Sequence, residues 1–240
     1  EIGRNPEALK RMAESTGINI IMGCGWYRDS YMPEDLNYRP TEDLAEELIY
    51  EYEYGVGNTD IRPGIIGEIG TESEYPTARE ERVFRAAARA HLRTGLAITT
   101  HTSVRTSGLQ VLKILKQEGV PPDRIIIGHA DCYPVSEYLL ELLQQGCYIE
   151  FDYISFLYHS GGISMPYSAA EMAKLTLKLI QEGYANRILL SNDIGMRPLL
   201  SHYGGVGYTC LSDQFIPLLK QSGVSEEDIH TMTVENPSRV

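Results

Sequence analysis

The sequence predicts an α/β fold built on a parallel sheet, and three observations lead to this prediction. Its 240 residues are close to the roughly 250 that an α/β barrel uses as one unit, and they suffice to bury a full core. Short β-branched runs alternate with longer amphipathic stretches along the whole chain. The runs are almost continuously apolar, which is typical of strands that helices cover on both faces.

Six runs are predicted as strands, and a charged helical stretch, EIGRNPEALKRMAES, precedes the first. The strands span 18–25, 64–71, 96–103, 124–131, 147–154 and 187–193. The helices between them stop at glycine, a residue that commonly terminates helices: Gly95, Gly119, Gly146 and Gly183. No linker, low-complexity tract or charge block divides the chain, so we expect a single domain over residues 1–240.

The composition excludes several classes of function. Lys and Arg number 21 against 33 Asp and Glu, which gives a net charge of −12. Such a surface repels nucleic-acid phosphates and anionic lipid, so neither a nucleic acid nor a membrane is an expected partner. No apolar run approaches the roughly 18 residues of a membrane helix. The four cysteines are widely spaced and form no CxxC pair, which indicates reduced thiols and a cytoplasmic protein.

Polar, chargeable residues stand at the C-terminal ends of five of the predicted strands. In a barrel these strand ends all face one mouth, where catalytic groups gather. A doubly wound sheet would instead carry a glycine-rich phosphate loop, but Gly23-Cys24-Gly25 is followed by Trp26 and lacks the third glycine. We therefore favour the barrel. The five residues are Glu68, His101, His129, Asp152 and Asp193.

Each of these residues also has an ordinary structural interpretation. His101 and His129 could be hydrogen-bonded core histidines, and Asp193 could cap the element that follows it. Glu68 interrupts an apolar strand and needs a cationic partner, because a buried charge is costly unless it is paired or bound to a metal. Together, the two imidazoles and the carboxylates of Glu68 and Asp193 form a ligand set suited to Zn²⁺, Mn²⁺ or Fe²⁺.

The motifs RPGIIGEIGT, ITTHTS, IIIGHAD, IEFDYI and ILLSNDIG, closing on TVENPSRV, together resemble the phosphotriesterase family of the amidohydrolase superfamily. The resemblance implies a (β/α)8 TIM barrel with two divalent metals at its mouth, expected to be zinc, with manganese, iron or cobalt as alternatives. It makes His101 and His129 ligands of the more exposed metal, and Asp193 a ligand of the buried metal that also accepts a proton. Glu68 stands at or beside the place of a carboxylated lysine that bridges the metals, which predicts a centre independent of carbon dioxide.

The chain also departs from the family pattern. The family's first strand carries a His-x-His pair that holds the buried metal, and this sequence contains no such pair. Aligning the motifs makes the six predicted strands roughly strands 3 to 8 of the barrel. We therefore expect the chain to be incomplete at both ends. Without the first two strands, the buried metal would lose two ligands.

Aromatic residues and arginines in the segments after the strands predict the substrate class. Aromatic rings suit a partly apolar substrate or ordinary loop packing, while the arginines could converge on an anion or pair with acids such as Asp29 and Glu34. Asp152 could relay the proton that Asp193 accepts or hydrogen-bond a neighbouring loop, and we favour a role in supporting the metal ligands. The substrate-binding candidates are Trp26, Tyr27, Arg28, Arg105, Asp152, Tyr153, Arg197 and His202.

The resulting prediction is a metal-dependent hydrolase that directs an activated hydroxide at an ester or a lactone. The family resemblance includes lactonases, some of which act on phosphorylated sugar lactones. Two alternatives remain open: phosphotriester or phosphodiester hydrolysis at the same centre, and a catalytically inactive barrel that binds a ligand. The expected partner is a small molecule. Apolar residues such as Ile163, Met165 and Pro166 suit either a homodimer interface or loop packing.

Overall fold

The computed structural model describes residues 4–159 and 163–240, and it confirms the predicted α/β fold with a parallel sheet. The strands whose pairing is described are parallel to their neighbours, as expected when each strand is joined to the next by a helical crossover. The strands of the described residues are β1 (Gly23–Cys24), β2 (Ile65–Gly70), β3 (Ile98–His101), β4 (Ile125–Gly128), β5 (Tyr148–Phe151) and β6 (Ile188–Leu190).

The internal contacts group the chain into two compact units, 1–126 and 127–240, which are described separately. The first contains helices α1 (Pro6–Thr16), α2 (Thr41–Tyr54), α3 (Ala78–Thr94) and α4 (Ser107–Gln117). Helix α3 starts at a capping box in which Thr77 and Glu80 each accept the other's backbone N–H. It ends at Gly95, whose φ of 76° fits the left-handed conformation that favours glycine. Helix α3 packs against α2 and β2.

The first predicted strand is much shorter than the sequence indicates. Only Gly23 and Cys24 of the 18–25 run pair with β2, and the preceding Ile18 and Ile21 are 64% and 72% exposed. A β-branched run becomes a strand only where a neighbour satisfies its backbone groups. Strand β2 begins at Ile65, opposite Gly23, so among the described residues no strand lies beside the preceding part of this run.

In its described residues, 127–159 and 163–240, the second unit contains six α-helices and two π-helical turns. Strand β5 pairs in parallel with β6 through Ile149 and Ile188. The side chain of Asn236 is fully buried and donates to the carbonyls of Ala185 and Ile188, each at 2.8 Å, which ties the last helix to β6. The helices are α5 (Ser136–Gln144), α6 (Ile154–Tyr158), α7 (Ala169–Gln181), α8 (Ile216–Gln221), α9 (Glu226–His230) and α10 (Asn236–Arg239), with π-helical turns at Leu211–Phe215 and Thr231–Glu235.

The remaining strands lie inside the predicted runs but are shorter at one or both ends. Helix α6 begins at Ile154, which the sequence assigns to a strand, and β6 ends at Leu190, before Asp193. His129, Asp152 and Asp193 thus lie beyond the ends of their strands, where a functional side chain can reach a ligand, whereas Glu68 and His101 remain within β2 and β3. No helix in the described ranges combines the length and apolar character that crossing a bilayer requires.

Candidate metal centre

His101 is the last residue of β3, and polar groups surround its imidazole ring. The residue is only 5% exposed. Its Nδ1 lies 3.1 Å from Oε1 of Glu68 and 2.9 Å from the hydroxyl of Tyr27, while its Nε2 lies 3.1 Å from the hydroxyl of Ser103. Buried imidazoles need such partners. The carboxylate beside Nδ1 distinguishes His101 from a histidine that merely packs in a core.

An irregularity in β2 places Glu68 beside His101. Ile66 pairs with Ile98, but Ile69 pairs with Thr100, so three steps along β2 match two along β3. Such a bulge re-aims the side chains within it, and bulges are frequent beside active sites. A Cβ atom on Gly67 would lie 2.3 Å from the carbonyl oxygen of Thr99, so glycine is required for this close approach. The Glu68 side chain stays 36% exposed.

A cavity of ≈ 660 Å³ in the first unit gives access to this carboxylate. Residues of α1, the β1 region and α2 line it, including Leu9, Met12, Trp26, Tyr27, Glu51 and Glu68. This volume lies in the usual range for small-molecule sites. Glu68 and Tyr27 therefore connect the buried histidine to a space that can admit a ligand.

His129 directly follows β4 and is clamped by a single carboxylate from the end of β5. Asp152 accepts from the backbone N–H of His129 at 3.0 Å and lies 2.7 Å from its ring Nδ1. His129 and Asp152 are 3% and 5% exposed. Because a carboxylate accepts at Nδ1, the Nε2 atom of His129 is left with its lone pair, the tautomer that ligates a metal. His129 adopts a φ of 55°, and the clamp stabilises this unusual backbone.

Asp131 belongs to the same buried cluster and interacts electrostatically with Asp152. Its Oδ2 accepts from the backbone N–H of Tyr153 at 2.9 Å, while its Oδ1 is buried without a partner in the described residues. Burial, followed by the charge of Asp152, raises the pKa of Asp131 well above its usual value. The Tyr153 ring lies 4.8 Å from that of His129, centroid to centroid, so these side chains form one packed group in the second unit.

Three of the predicted metal ligands form a donor group with the composition of a metal site. In the first unit Oε1 of Glu68 lies 3.1 Å from Nδ1 of His101, and in the second unit Asp152 orients the ring of His129. One carboxylate and two imidazoles are donors that Zn²⁺, Mn²⁺ and Fe²⁺ accept. Asp193, the fourth predicted ligand, is not in this group; it has a φ of 43° and is half-buried. Its assignment to a metal and to proton transfer stays a prediction.

The predicted substrate-binding residues have different environments. Tyr27 contacts His101, and Asp152 and Tyr153 belong to the buried group around His129. Trp26 is half-buried beneath the guanidinium of Arg39, whose Cζ lies 5.7 Å from the indole. Arg28 is half-buried. The other three are exposed: Arg105 is paired loosely with Glu74 at 3.9 Å, Arg197 lies over the ring of Tyr203, and His202 meets that ring edge to face.

Sequence reasoning did not single out three residues that shape these groups. Ser103 lies two residues beyond His101, and Asp131 two beyond His129, and both stand inside motifs that the sequence marks. Glu80 is wholly buried in α3 and accepts from backbone N–H groups of two loops. Its only signal in the sequence is the T-x-x-E capping pattern that begins at Thr77.

Comparison with known proteins places the chain in a family. The sequence profile of the Phosphotriesterase family matches residues 1–240. The chain is 39% identical to the phosphotriesterase homology protein of Escherichia coli (strain K12), over 99% of this chain and 79% of that protein. A crystal structure of that protein, with phosphate in its active site, superimposes with a TM-score of 0.90 at 38% identity and covers 98% of this chain and 79% of the other.

Two further relatives differ in what they are named for. The N-acetyltaurine hydrolase of Dictyostelium discoideum is 34% identical over 100% of this chain and 66% of its own length. A mutant of a phosphotriesterase-like lactonase from Deinococcus radiodurans has a TM-score of 0.87 and 32% identity, and it covers 99% of this chain and 77% of the other. These similarities confirm the predicted TIM-barrel class and support a metal-dependent hydrolase. The chain belongs to the phosphotriesterase family.

Proposed function

We propose that this chain is the hydrolytic part of a metal-dependent enzyme that cleaves an ester or lactone bond. The observation that carries the proposal is the contact between two predicted metal ligands of the first unit, Glu68 and His101, whose Oε1 and Nδ1 atoms lie 3.1 Å apart. Family membership and the lactonase relative support it. Zinc is the proposed metal, with manganese, iron or cobalt as alternatives, and two ions are proposed for the complete centre.

The residues present fit a divalent cation. Zinc bonds of 2.0–2.1 Å to nitrogen and oxygen place neighbouring ligand atoms about 3.3 Å apart in a tetrahedral site. Nδ1 of His101 and Oε1 of Glu68 are 3.1 Å apart, close to that spacing. The Asp152 carboxylate holds His129 through Nδ1, in the manner in which carboxylates commonly orient metal-binding histidines. When bound, the cation polarises the substrate oxygen and lowers the pKa of water at the site.

The protein's own contribution is to position these groups and to manage the proton. Asp152 fixes the ring of His129, and the bulge in β2 fixes the carboxylate of Glu68 beside His101. Such preorganisation removes the cost of arranging the groups during the reaction. Asp193 is the proposed acceptor of the proton released as water attacks, and it would return that proton to the leaving group. In this scheme, no further residue is needed for proton transfer.

The name of the Dictyostelium relative indicates a second candidate, hydrolysis of an amide. The same residues serve both reactions, because ester and amide cleavage share attack on a carbonyl and protonation of the leaving group. A phosphorylated sugar lactone remains one proposed substrate. A screen of the purified chain should therefore include a lactone, a carboxylic ester, N-acetyltaurine, a phosphodiester and a phosphotriester. A metal-loaded chain that cleaves none of them would favour the inactive, ligand-binding barrel.

The metal centre is tested directly by elemental analysis of the wild type, Glu68→Gln and Glu81→Gln. Glu81 is a 44% exposed carboxylate that pairs with Arg85, so its variant matches the charge change away from the centre. We expect bound metal in the wild type and in Glu81→Gln, and a loss of at least half of it in Glu68→Gln. About two equivalents would support a bridged pair, and about one would correct the number of ions. A folded wild type that binds no metal would overturn the proposal.

A further inference from the structure

Arg28 is held between two aromatic rings just beyond β1. Its Cζ lies 5.0 Å from the ring centroid of Tyr27 and 5.1 Å from that of Tyr31. The two rings meet edge to face, 5.3 Å apart. Both distances fall within the range of cation–π attraction. The guanidinium is therefore fixed in position, whereas most surface arginines sample many rotamers.

The arrangement places Arg28 beside the candidate metal centre. The hydroxyl of Tyr27, one of the two rings, lies 2.9 Å from Nδ1 of His101. A Cβ atom on Gly70 would lie 2.9 Å from Cβ of His101 and 3.0 Å from Cγ of Arg28. The stems of the two side chains thus meet over the same glycine. Any larger residue at position 70 would push them apart.

The guanidinium has no close carboxylate among the described residues. Its nearest one is Glu72, whose Oε1 lies 3.9 Å from Nη1, beyond hydrogen-bond distance. Glu72 is already occupied by the hydroxyl of Ser30, at 3.1 and 3.0 Å from its two carboxylate oxygens. Arg28 also hydrogen-bonds to Tyr31. Since a guanidinium offers five N–H donors in a planar fork that matches an oxyanion, Arg28 retains donors for a ligand.

The other two arginines of the predicted set are not held between aromatic rings of the described residues and are more exposed than Arg28. The Arg105 side chain is 73% exposed, against 27% for that of Arg28. Arg197 is exposed as well. A fixed, partly desolvated cation binds an anion more strongly than a mobile, hydrated one, because less entropy and less hydration are lost on binding.

We propose that Arg28 recognises an anionic group on the substrate, so that the enzyme selects small esters, lactones or amides that carry a carboxylate, sulfonate or phosphate. Tyr27 and Tyr31 position the guanidinium, and Gly70 leaves the room for it beside His101. This inference rests on the proposed function, because it names the class of substrate for that site. In this proposal Arg28 binds the substrate's anionic group, while Glu68 and His101 remain the proposed metal ligands.

The test uses binding and does not depend on turnover. Ethanesulfonate is the anionic probe, because a sulfonate is a poor metal ligand, and ethyl methyl sulfone is its neutral counterpart of similar shape. Affinity for both is measured by calorimetry or ligand-detected NMR on metal-loaded wild type, Arg28→Met, Arg28→Lys and Arg93→Met. Arg93 is 62% exposed on α3, so its variant controls for the loss of one positive charge. Metal content and melting temperature are recorded for each protein.

We expect Arg28→Met to weaken ethanesulfonate binding at least tenfold more than sulfone binding. Arg28→Lys should keep part of the affinity, since lysine retains the charge but not the fork, and Arg93→Met should match the wild type. Absence of ethanesulfonate binding to the wild type would overturn the inference. So would equal losses for both probes in Arg28→Met and Arg28→Lys, which would assign Arg28 to structure. A wild type that binds the sulfonate but hydrolyses no substrate would instead contradict the proposed function.

Discussion

At the scale of single residues, Asp152 and His129 form the most constrained pair in the candidate centre. One carboxylate meets both the backbone N–H and the ring of the same histidine, and both residues are almost wholly buried. The backbone contact holds the residue, and the ring contact selects the tautomer and aims Nε2. The ring of His129 is therefore oriented before any ion binds, and metal binding requires little rearrangement of this residue.

Replacing Asp152 by Asn should weaken metal binding by about 10–100-fold, because the amide nitrogen cannot accept from His129. Competition with a chromophoric zinc chelator measures the affinity. Asp213→Asn, an exposed change in the same unit, serves as the control and should leave it unaltered. Should Asp152→Asn bind metal as tightly as the wild type while remaining folded, the clamp would have no part in the centre.

At the scale of secondary-structure elements, the N-terminus of α3 holds two loops in place through Glu80. Oε1 of Glu80 accepts from the backbone N–H groups of Asp29 and Glu72, at 3.1 and 2.7 Å, and Oε2 accepts from that of Thr77 at 2.8 Å. Asp29 follows Arg28, and Glu72 follows β2. A single buried carboxylate therefore fixes both loops that flank the proposed anion site, and helix α3 supplies its anchor.

Glu80→Gln should lower the free energy of unfolding by about 1–3 kcal/mol, since one of the two oxygens becomes an amide that cannot accept and leaves a buried N–H unsatisfied. Urea denaturation followed by circular dichroism measures this loss. The neighbouring exposed change, Glu81→Gln, should stay within about 0.5 kcal/mol of the wild type. Equal stability of the two variants would show that the loops do not depend on this carboxylate.

At the scale of the whole molecule, the four cysteines behave as interior residues in the described structure. All four are free thiols, and Cys24, Cys147 and Cys210 are buried. Burial raises the pKa of Cys24 to about 12 and that of Cys210 to about 11, and it raises the pKa of Cys132 still further, with help from Asp131. Because the thiolate is the reactive form, these thiols are poor nucleophiles at neutral pH.

The native protein should therefore react with Ellman's reagent at pH 8 at least 100-fold more slowly than the protein unfolded in guanidinium, which should release four equivalents. The native reaction is slower because the raised pKa values leave little thiolate. At pH 8 the thiolate fraction falls from about a quarter for an ordinary thiol to about 10⁻⁴ for a thiol with a pKa near 12. Between pH 8 and pH 10 the native reaction should accelerate about tenfold per pH unit, because the thiolate fraction of a thiol rises tenfold per unit below its pKa, whereas the reaction of the unfolded protein should level off above about pH 8.5. Rapid labelling of one thiol in the native protein would contradict this assignment.

The sequence by itself determined the order of the elements and the residues most suited to a metal. Alternating apolar runs and helical patterns identify the parallel α/β class, and Gly95 correctly marks the end of α3. Glu68, His101 and His129 stand out because a charged or imidazole side chain at the end of an apolar run has few structural uses. These signals are local, so a single stretch of sequence carries them.

Only the tertiary structure decided which residues act together. Ile18 and Ile21, which the sequence assigns to a strand, are exposed and unpaired with β2, because strand formation depends on a neighbouring strand. The tertiary structure joined Asp152 to His129 and Glu80 to the loops, and it distinguished Arg28 from Arg105 and Arg197. Such contacts join residues that are far apart in the chain, and no periodicity records them. Local patterns therefore fixed the chemical types at the candidate site, while long-range packing fixed their partners.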